Sequence, residues 1–255
     1  MNSYANHNSI VKTIWGRSDT VLFIFAGAAA EFAVNKAVDW LYYTGRLPND
    51  PLGRLFSTVA YARHIIFSTT EEAHKAIDKM RDIHSSVEKS RGTTIPDEAY
   101  RDVLFMLIHY SIAAHEALER RLTKEEKQEV LDVFRRVGER MGIPDLPQTY
   151  DEWLESYDRH NQQNLAHSSL TTDLFRQYRK HLGIVRYLVL VEVQKLLVTP
   201  RVRHLLKFKK PILIRPVLAV YKFCKNINAD AIVKSVLLPP LYKQRIRALD
   251  VQPGA

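Results

Sequence analysis

The stretch FSTTEEAHKAIDKMRDIHSSV, residues 67–87, decides the fold class, because it carries a complete helix signature. Thr69 and Glu72 have the S/T-x-x-E spacing of a capping box, which predicts a helix that begins near residue 70. Beyond this cap, four apolar residues and one histidine share a face at helical spacing. These residues are Ala73, Ile77, Met80, His84 and Val87. The stretch therefore predicts an amphipathic helix with a histidine on its apolar face.

Two further stretches carry the same start signal. Thr123 with Glu126, and Thr149 with Glu152, have the spacing of a capping box. The first of these segments runs into Gly142, a residue type that commonly ends helices in a left-handed conformation. We therefore expect helices that begin close to the two threonines, and we expect the first of them to end at the glycine.

Helix signals dominate the remainder of the chain as well. Asp19 is a good N-cap residue, and it predicts one helix that runs to about Tyr43. Pro51 stands at a first helical position, and a long helical segment covers residues 97–121. No stretch alternates as a strand would. The sequence thus predicts an all-α protein in which residues 1–255 form one domain, a bundle of nine or ten helices.

The composition is that of a soluble globular protein, because 46% of the 255 residues are hydrophobic and 25% are charged. These values exclude a disordered chain, a collagen-like repeat and a polytopic membrane protein. The single cysteine, Cys224, excludes an intramolecular disulfide framework and a zinc site built from cysteines. One cysteine also favours a reducing compartment over secretion.

We expect neither a secretory leader nor a transmembrane span. Residues 1–19 are polar and lack an apolar core. The apolar run VLFIFAGAAA, residues 21–30, is shorter than the roughly 20 residues that a transmembrane helix needs. We expect this run to form a buried core helix. The predicted location is intracellular, either cytoplasmic or peripheral on a membrane.

Positive charge is concentrated in the last third of the chain. Residues 176–255 hold 17 Lys and Arg against 3 Asp and Glu, and the net charge of the whole chain is +9. A basic face suggests an anionic partner, although a solvated surface explains it equally well. No recognisable nucleic-acid module appears, so nucleic acid is not an expected partner. The mixed basic and apolar stretch at 201–223 either lies on an anionic membrane or packs on the body of the protein.

Several enzyme classes are disfavoured by missing motifs. The chain has no G-x-x-x-x-G-K-[ST], no G-x-G-x-x-G, no G-x-S-x-G and no H-E-x-x-H. These motifs mark P-loop enzymes, dinucleotide-binding enzymes, α/β-hydrolases and zinc proteases. The candidate functional residues are instead histidines and one arginine.

His84 is the most informative histidine, because it lies between Met80 and Val87 on the apolar face. A buried imidazole needs partners for its ring nitrogens. One interpretation is a core histidine bonded to a carbonyl oxygen, and another is a neutral ligand to a haem iron. His109 could face either way, and His115 lies on a weaker apolar stripe.

A second set of residues shares one helix face in the segment RLFSTVAY, residues 54–61. Arg54, Thr58 and Tyr61 are spaced at i, i+4 and i+7. An arginine beside a hydroxyl on a half-apolar helix can hold a carboxylate, a propionate or dioxygen. The alternative is an arginine that pairs with a nearby acid and fills a gap between helices.

Four pieces of the sequence, in this order, resemble the MpaB/latex-clearing-protein family of haem-dependent oxygenases, also called rubber oxygenases. The family pattern contains an Asp-Pro, an Arg-x-x-x-Thr, a Gly/Ser-Thr-x-Glu-Glu helix start and a helix that ends in His-x-x-Val. The resemblance covers residues 20–160 best. The matching pieces are DPLGRLFSTVAYA (50–62), FSTTEEAHKAIDKMRDIHSSV (67–87), LIHYS (107–111) and RMGIPDLP (140–147).

The resemblance implies an all-α bundle that encloses a b-type haem. His84 falls on the family's proximal iron ligand, and Arg54 and Thr58 fall on its distal arginine and threonine. We expect Tyr61 and His109 to be further cofactor-binding residues.

The implied function is the oxidation of a hydrophobic small molecule, such as a prenyl or polyketide-like chain, with dioxygen as co-substrate. Oxidative cleavage of a C=C bond is one form of this chemistry. Arg54 and Thr58 are the expected catalytic residues, and the expected base is Asp39 or, as a second choice, Glu31.

Two other functions stay open. A haem protein of this kind could act as an isomerase or cyclase without consuming oxygen. A helical protein without catalysis could bind lipids or an anionic membrane through its basic last third. The sequence determines neither the substrate nor the oligomeric state.

Overall fold

The computed structural model describes residues 2–45 and 49–211 together with Pro216 and Leu218, without the side chains of Leu52 and Leu55. Within this part, the chain forms ten helices and no β-strand, which confirms the predicted all-α fold. In chain order the helices are α1 (Ile10–Trp15), α2 (Ser18–Ala33), α3 (Val38–Tyr43), α4 (Pro51–Phe67), α5 (Thr70–Arg91), α6 (Asp97–Leu118), α7 (Lys124–Met141), α8 (Tyr150–Asn164), α9 (Ser169–Leu197) and α10 (Pro200–Leu205).

The helix starts that the capping boxes predict are confirmed. Thr69, Thr123 and Thr149 are the N-caps of α5, α7 and α8, and each accepts a hydrogen bond from the backbone three residues ahead. In each box, the side chain of the glutamate three residues after the threonine accepts a hydrogen bond from the backbone N–H of that threonine. Pro51 is the first residue of α4, and Gly142 ends α7 with a φ of 82°.

The prediction of one helix from an Asp19 cap to about Tyr43 is wrong. The helix α2 already begins at Ser18, so Asp19 lies inside it, and α2 ends at Ala33. After a short break, a separate helix begins at Val38.

Hydrogen bonds from distant residues explain this break. The Ala166 N–H donates to the Val34 carbonyl at 2.7 Å. The Asn35 amide donates to the buried Asp102 carboxylate at 2.6 Å. The backbone after α2 therefore bonds to the segment after α8 instead of continuing the helical pattern.

Helix α2 lies at the centre of the bundle, where it packs most extensively on α6 and next on α9. Its run at residues 21–30 includes Val21, Ile24 and Phe25, which are buried, so the expected core helix is confirmed. Gly27 permits the close approach of α6, because a Cβ at this position would lie 2.1 Å from the Tyr110 ring.

The basic last third is described in part. Helices α9 and α10 contain residues of this region, and α9 is kinked at Gly183, whose φ is 72°. The predicted basic helices beyond residue 211 and Cys224 lie outside the described residues. None of the helices in the described ranges is long and apolar enough to cross a membrane.

Candidate functional site

A cavity of about 1160 Å³ lies between α2, α3, α4, α5, α6, α7 and α9. Small-molecule pockets commonly measure about 300–1,000 Å³, so this cavity has room for a large ligand. Most of its wall is apolar and includes Leu22, Phe25, Leu107, Phe134 and Leu190.

The rim of the cavity is apolar as well. Tyr43, Ile83 and Val103 line the cavity and are 47%, 44% and 40% exposed. These three residues come from α3, α5 and α6, so the opening lies where these helices meet. A hydrophobic molecule can therefore enter along apolar side chains.

His84 lies on the wall of this cavity, as its position on the apolar face of α5 predicts. Its Nδ1 atom is buried and has no hydrogen-bond partner. Burial lowers the pKa of His84, the positive charge of Arg54 lowers it further, and Glu88 opposes the shift. The imidazole is therefore neutral at physiological pH, and a neutral imidazole is the form that binds metals.

A tyrosine from α6 fixes the imidazole of His84. The Tyr100 ring packs against the His84 ring with 5.2 Å between centroids. The Tyr100 hydroxyl donates to Glu88 Oε1 at 3.3 Å, and the Ile95 N–H donates to the same oxygen at 2.8 Å. The orientation of His84 is thus held by a neighbour that is itself anchored.

Arg54, Thr58 and Tyr61 line the same cavity from α4, as their spacing predicts. The Thr58 hydroxyl donates to the Arg54 carbonyl at 3.3 Å, and the Arg54 guanidinium donates to the Ser57 hydroxyl at 3.4 Å. Both bonds are longer than an optimal hydrogen bond. The structure therefore brings His84 and the polar face of α4 together around one apolar space.

Glu31 is not among the residues that line the cavity. It is buried on another face of α2, where Oε2 accepts hydrogen bonds from Tyr110 at 2.8 Å and Tyr157 at 2.6 Å. Burial raises the pKa of Glu31 to about 7, the two tyrosines oppose this shift, and Asp102 adds to it. Its predicted role as a base stays a prediction.

Asp39 also lies outside the cavity wall, beside the rim. Its carboxylate is 2.8 Å from the Arg91 guanidinium at the end of α5. The Arg91 guanidinium stacks over the Trp40 ring at 4.0 Å, and Trp40 lines the cavity. Asp39 thus helps to hold α3 against α5, and its role as a base stays a prediction.

The other two candidate histidines lie away from the cavity wall. Burial lowers the pKa of His109 to about 4, and a hydrogen bond with the Leu197 backbone opposes the shift. The His109 ring packs against Tyr157 at 4.9 Å. His115 is 3% exposed, and neither of its ring nitrogens has a hydrogen-bond partner.

Arg186 on α9 is a cavity residue that the sequence reasoning did not select. The sequence does contain an indication of a special role for Arg186, because it is the one charged residue in the apolar run LGIVRYLVLV at 182–191. The break at Gly183 lies between Leu182 and Arg186, and both of these residues line the cavity. Helical periodicity does not predict which residues before and after such a break lie on the same face.

Among the described residues, no group of three or more His, Cys, Asp or Glu side chains could hold a metal ion. Of the described residues that line the cavity, His84 is the one His, Cys, Asp or Glu. The cavity beside it is the place where a group bound by His84 would lie.

Comparison with known proteins identifies the family of the chain. Residues 13–243 match the family model described as ER-bound oxygenase mpaB/B'/Rubber oxygenase, catalytic domain. Searches of curated proteins and of solved structures found no match. The family match covers most of the chain and extends beyond residues 20–160 on both sides. The chain belongs to the mpaB/B'/rubber oxygenase family of oxygenase catalytic domains.

Proposed function

We propose that the protein is a haem b-dependent oxygenase that acts on a hydrophobic small molecule, such as a prenyl or polyketide-like chain. One observation carries this proposal. A neutral imidazole, with Nδ1 unpartnered, lies on the wall of a cavity of about 1160 Å³. The family match supports oxygenase chemistry in the broad sense.

The residues around the cavity fit a haem. His84 offers the single neutral imidazole that a b-type haem needs as an axial ligand. The apolar wall suits a porphyrin face, and Arg54 and Arg186 are cations that suit its carboxylates. When bound, a haem supplies a redox-active iron that activates dioxygen for attack on an unsaturated carbon.

The protein's own residues prepare the cavity for this chemistry. Burial and, after it, the positive charge of Arg54 favour the neutral form of His84, so its lone pair stays available to a metal. The same guanidinium and the Thr58 hydroxyl stabilise negative charge that develops on an oxygen atom in the cavity. The Thr58 hydroxyl donates to the Arg54 carbonyl at 3.3 Å, a bond longer than an optimal hydrogen bond.

The apolar wall of the cavity binds the substrate. Side chains such as Phe25, Leu107 and Leu190 bind a hydrocarbon chain by excluding water from it. The apolar rim at Ile83 and Val103 lets such a chain enter from a lipid phase. We also propose that the basic last third contacts an anionic membrane that holds the substrate.

Oxygen uptake with a matched pair of substrates tests this function. The full-length protein is loaded with haemin and given squalene, which has C=C bonds, or squalane, which has none. We expect oxygen consumption with squalene only, and we expect Thr58→Val to slow it about 10-fold or more, as loss of a stabilising donor does. Haem uptake without oxygen consumption on any unsaturated chain would favour the isomerase or cyclase alternative.

The apolar cavity also supports a second function, which is the binding of a lipid without catalysis. This function predicts that the purified protein binds hydrophobic chains but takes up no haemin. It also predicts that His84→Ala leaves the binding of these chains unchanged. The haem proposal predicts saturable uptake of haemin that depends on His84.

A further inference from the structure

Arg186 presents a positive charge to an apolar cavity. It lies on α9 and lines the cavity together with apolar residues of the same helix, Leu182, Val189, Leu190 and Val193. Its Nε atom is buried and has no hydrogen-bond partner. In the ranges that the structure describes, no carboxylate lies within ion-pair distance of its guanidinium.

The nearest acid in sequence does not neutralise this arginine. Glu192 is the next acidic residue along α9, and it pairs with Lys195 at 2.6 Å. Arginine keeps its charge in any environment, and a partly buried charge without a counter-ion is costly. An anionic group on the ligand is the simplest source of the missing counter-charge.

The position of Arg186 indicates which end of a ligand it contacts. Arg186 lies on α9, whereas His84 lies on α5, so the two side chains line the cavity from different helices. An anionic group at Arg186 would leave the remainder of a long ligand free to extend toward His84.

We propose that Arg186 forms a carboxylate-binding subsite in the cavity, a site that rests on the function proposed above. A single planar guanidinium matches one carboxylate in a two-pronged hydrogen bond. The carboxylate belongs either to a haem propionate or to the acidic end of a long-chain substrate.

Two pairs of ligands distinguish these sources. The first pair is haemin and haemin dimethyl ester, which lacks the propionate charges. The second pair is hexadecanoate and hexadecanol, each measured by displacement of a fluorescent lipid probe. Each ligand is titrated into the full-length protein and into Arg186→Gln. Arg179→Gln is the control, because Arg179 is an exposed arginine on the same helix.

A propionate contact predicts that Arg186→Gln weakens haemin binding about 10-fold or more and leaves the dimethyl ester unaffected. A substrate contact predicts the same selective loss for hexadecanoate but not for hexadecanol. In either case Arg186→Lys, which keeps the charge but loses the planar fork, should restore part of the affinity. The control variant should bind all four ligands as the wild type does.

Unchanged affinity of a folded Arg186→Gln for both acids would overturn the proposal. Equal losses for an acid and its neutral partner would also overturn it, because packing rather than charge would then explain the effect. If the wild type binds no haemin, the haem function fails, and the hexadecanoate pair still decides the role of Arg186. Circular dichroism of each variant establishes that it is folded.

Discussion

The imidazole of His84 and the guanidinium of Arg54 line the same cavity from two different helices. Burial is the main cause of the lowered pKa of His84, and the positive charge of Arg54 is the second cause. This relationship links the two parts of the candidate site. The arginine that would stabilise an oxygen anion also adds to the effect of burial in favouring the neutral form of the histidine.

The first prediction concerns this electrostatic link. Replacement of Arg54 by Gln removes a positive charge, so the charged imidazolium becomes less costly and the pKa of His84 should rise. The measurement is an NMR titration of the His84 ring in haem-free protein. Arg54→Lys keeps the charge and should leave the pKa close to that of the wild type. An identical His84 titration in Arg54→Gln would contradict the link.

The second prediction concerns Glu31, whose pKa is raised from 4.5 to about 7 by burial. Because its folded-state pKa lies above its unfolded value, the protein is more stable when Glu31 is protonated. This contribution is fully present below pH 4.5 and is lost as the pH rises to about 7. A shift of this size corresponds to about 3 kcal/mol at most.

Urea unfolding of wild type and Glu31→Gln at pH 5 and pH 8 measures this effect. A glutamine stays neutral, so the stability of the variant relative to the wild type should increase with pH by up to about 3 kcal/mol. Comparison of the two proteins removes the effect of other titrating groups. Parallel pH profiles would show that Glu31 titrates normally in the folded state.

The third prediction tests the close contact of α2 and α6. A Cβ at Gly27 would lie 2.1 Å from the Tyr110 ring, and the Tyr110 hydroxyl is tied to Glu31. Gly27→Ala should therefore destabilise the protein by about 1–3 kcal/mol or more. Gly138→Ala is the comparison, because its Cβ would meet the flexible ends of leucine side chains at 2.7 Å. Thermal unfolding should show the larger loss for Gly27→Ala, and the reverse order would contradict this packing.

The fourth prediction separates two roles of Asp39. Asp39→Asn and Arg91→Gln each break the same ion pair, which measures 2.8 Å. If Asp39 acts by holding Arg91 over Trp40, the two variants should lower oxygen uptake to a similar and small extent. If Asp39 acts as a base, Asp39→Asn alone should reduce uptake about 100-fold or more. Steady-state rates of haem-loaded variants decide between these results.

The features that the sequence predicted correctly depend on local interactions. The N-caps Thr69, Thr123 and Thr149 act within one helical turn, so their spacing was sufficient to locate three helix starts. His84 was placed on the cavity side because the apolar face of α5 repeats at helical spacing. The same argument placed Arg54 and its neighbours on one face of α4.

The features that the sequence did not predict depend on distant residues. The end of α2 is set by a hydrogen bond from Asn35 to Asp102, which lies 67 positions away. The bonds to Glu31 come from Tyr110 and Tyr157, which are 79 and 126 positions away. Periodicity within one helix carries no information about such contacts, so the orientation of Glu31 could not be predicted. Arg186 was missed for a similar reason, because α9 is broken at Gly183.

The most direct test of the central claim is the absorption spectrum of haemin-loaded protein before and after loss of one imidazole. We predict a Soret band in the wild type and in His64→Ala, which removes an exposed histidine from α4. We predict that His84→Ala loses this band or shifts it, and binds haemin at least about 10-fold more weakly. A folded His84→Ala variant with the spectrum and haemin affinity of the wild type would contradict the account.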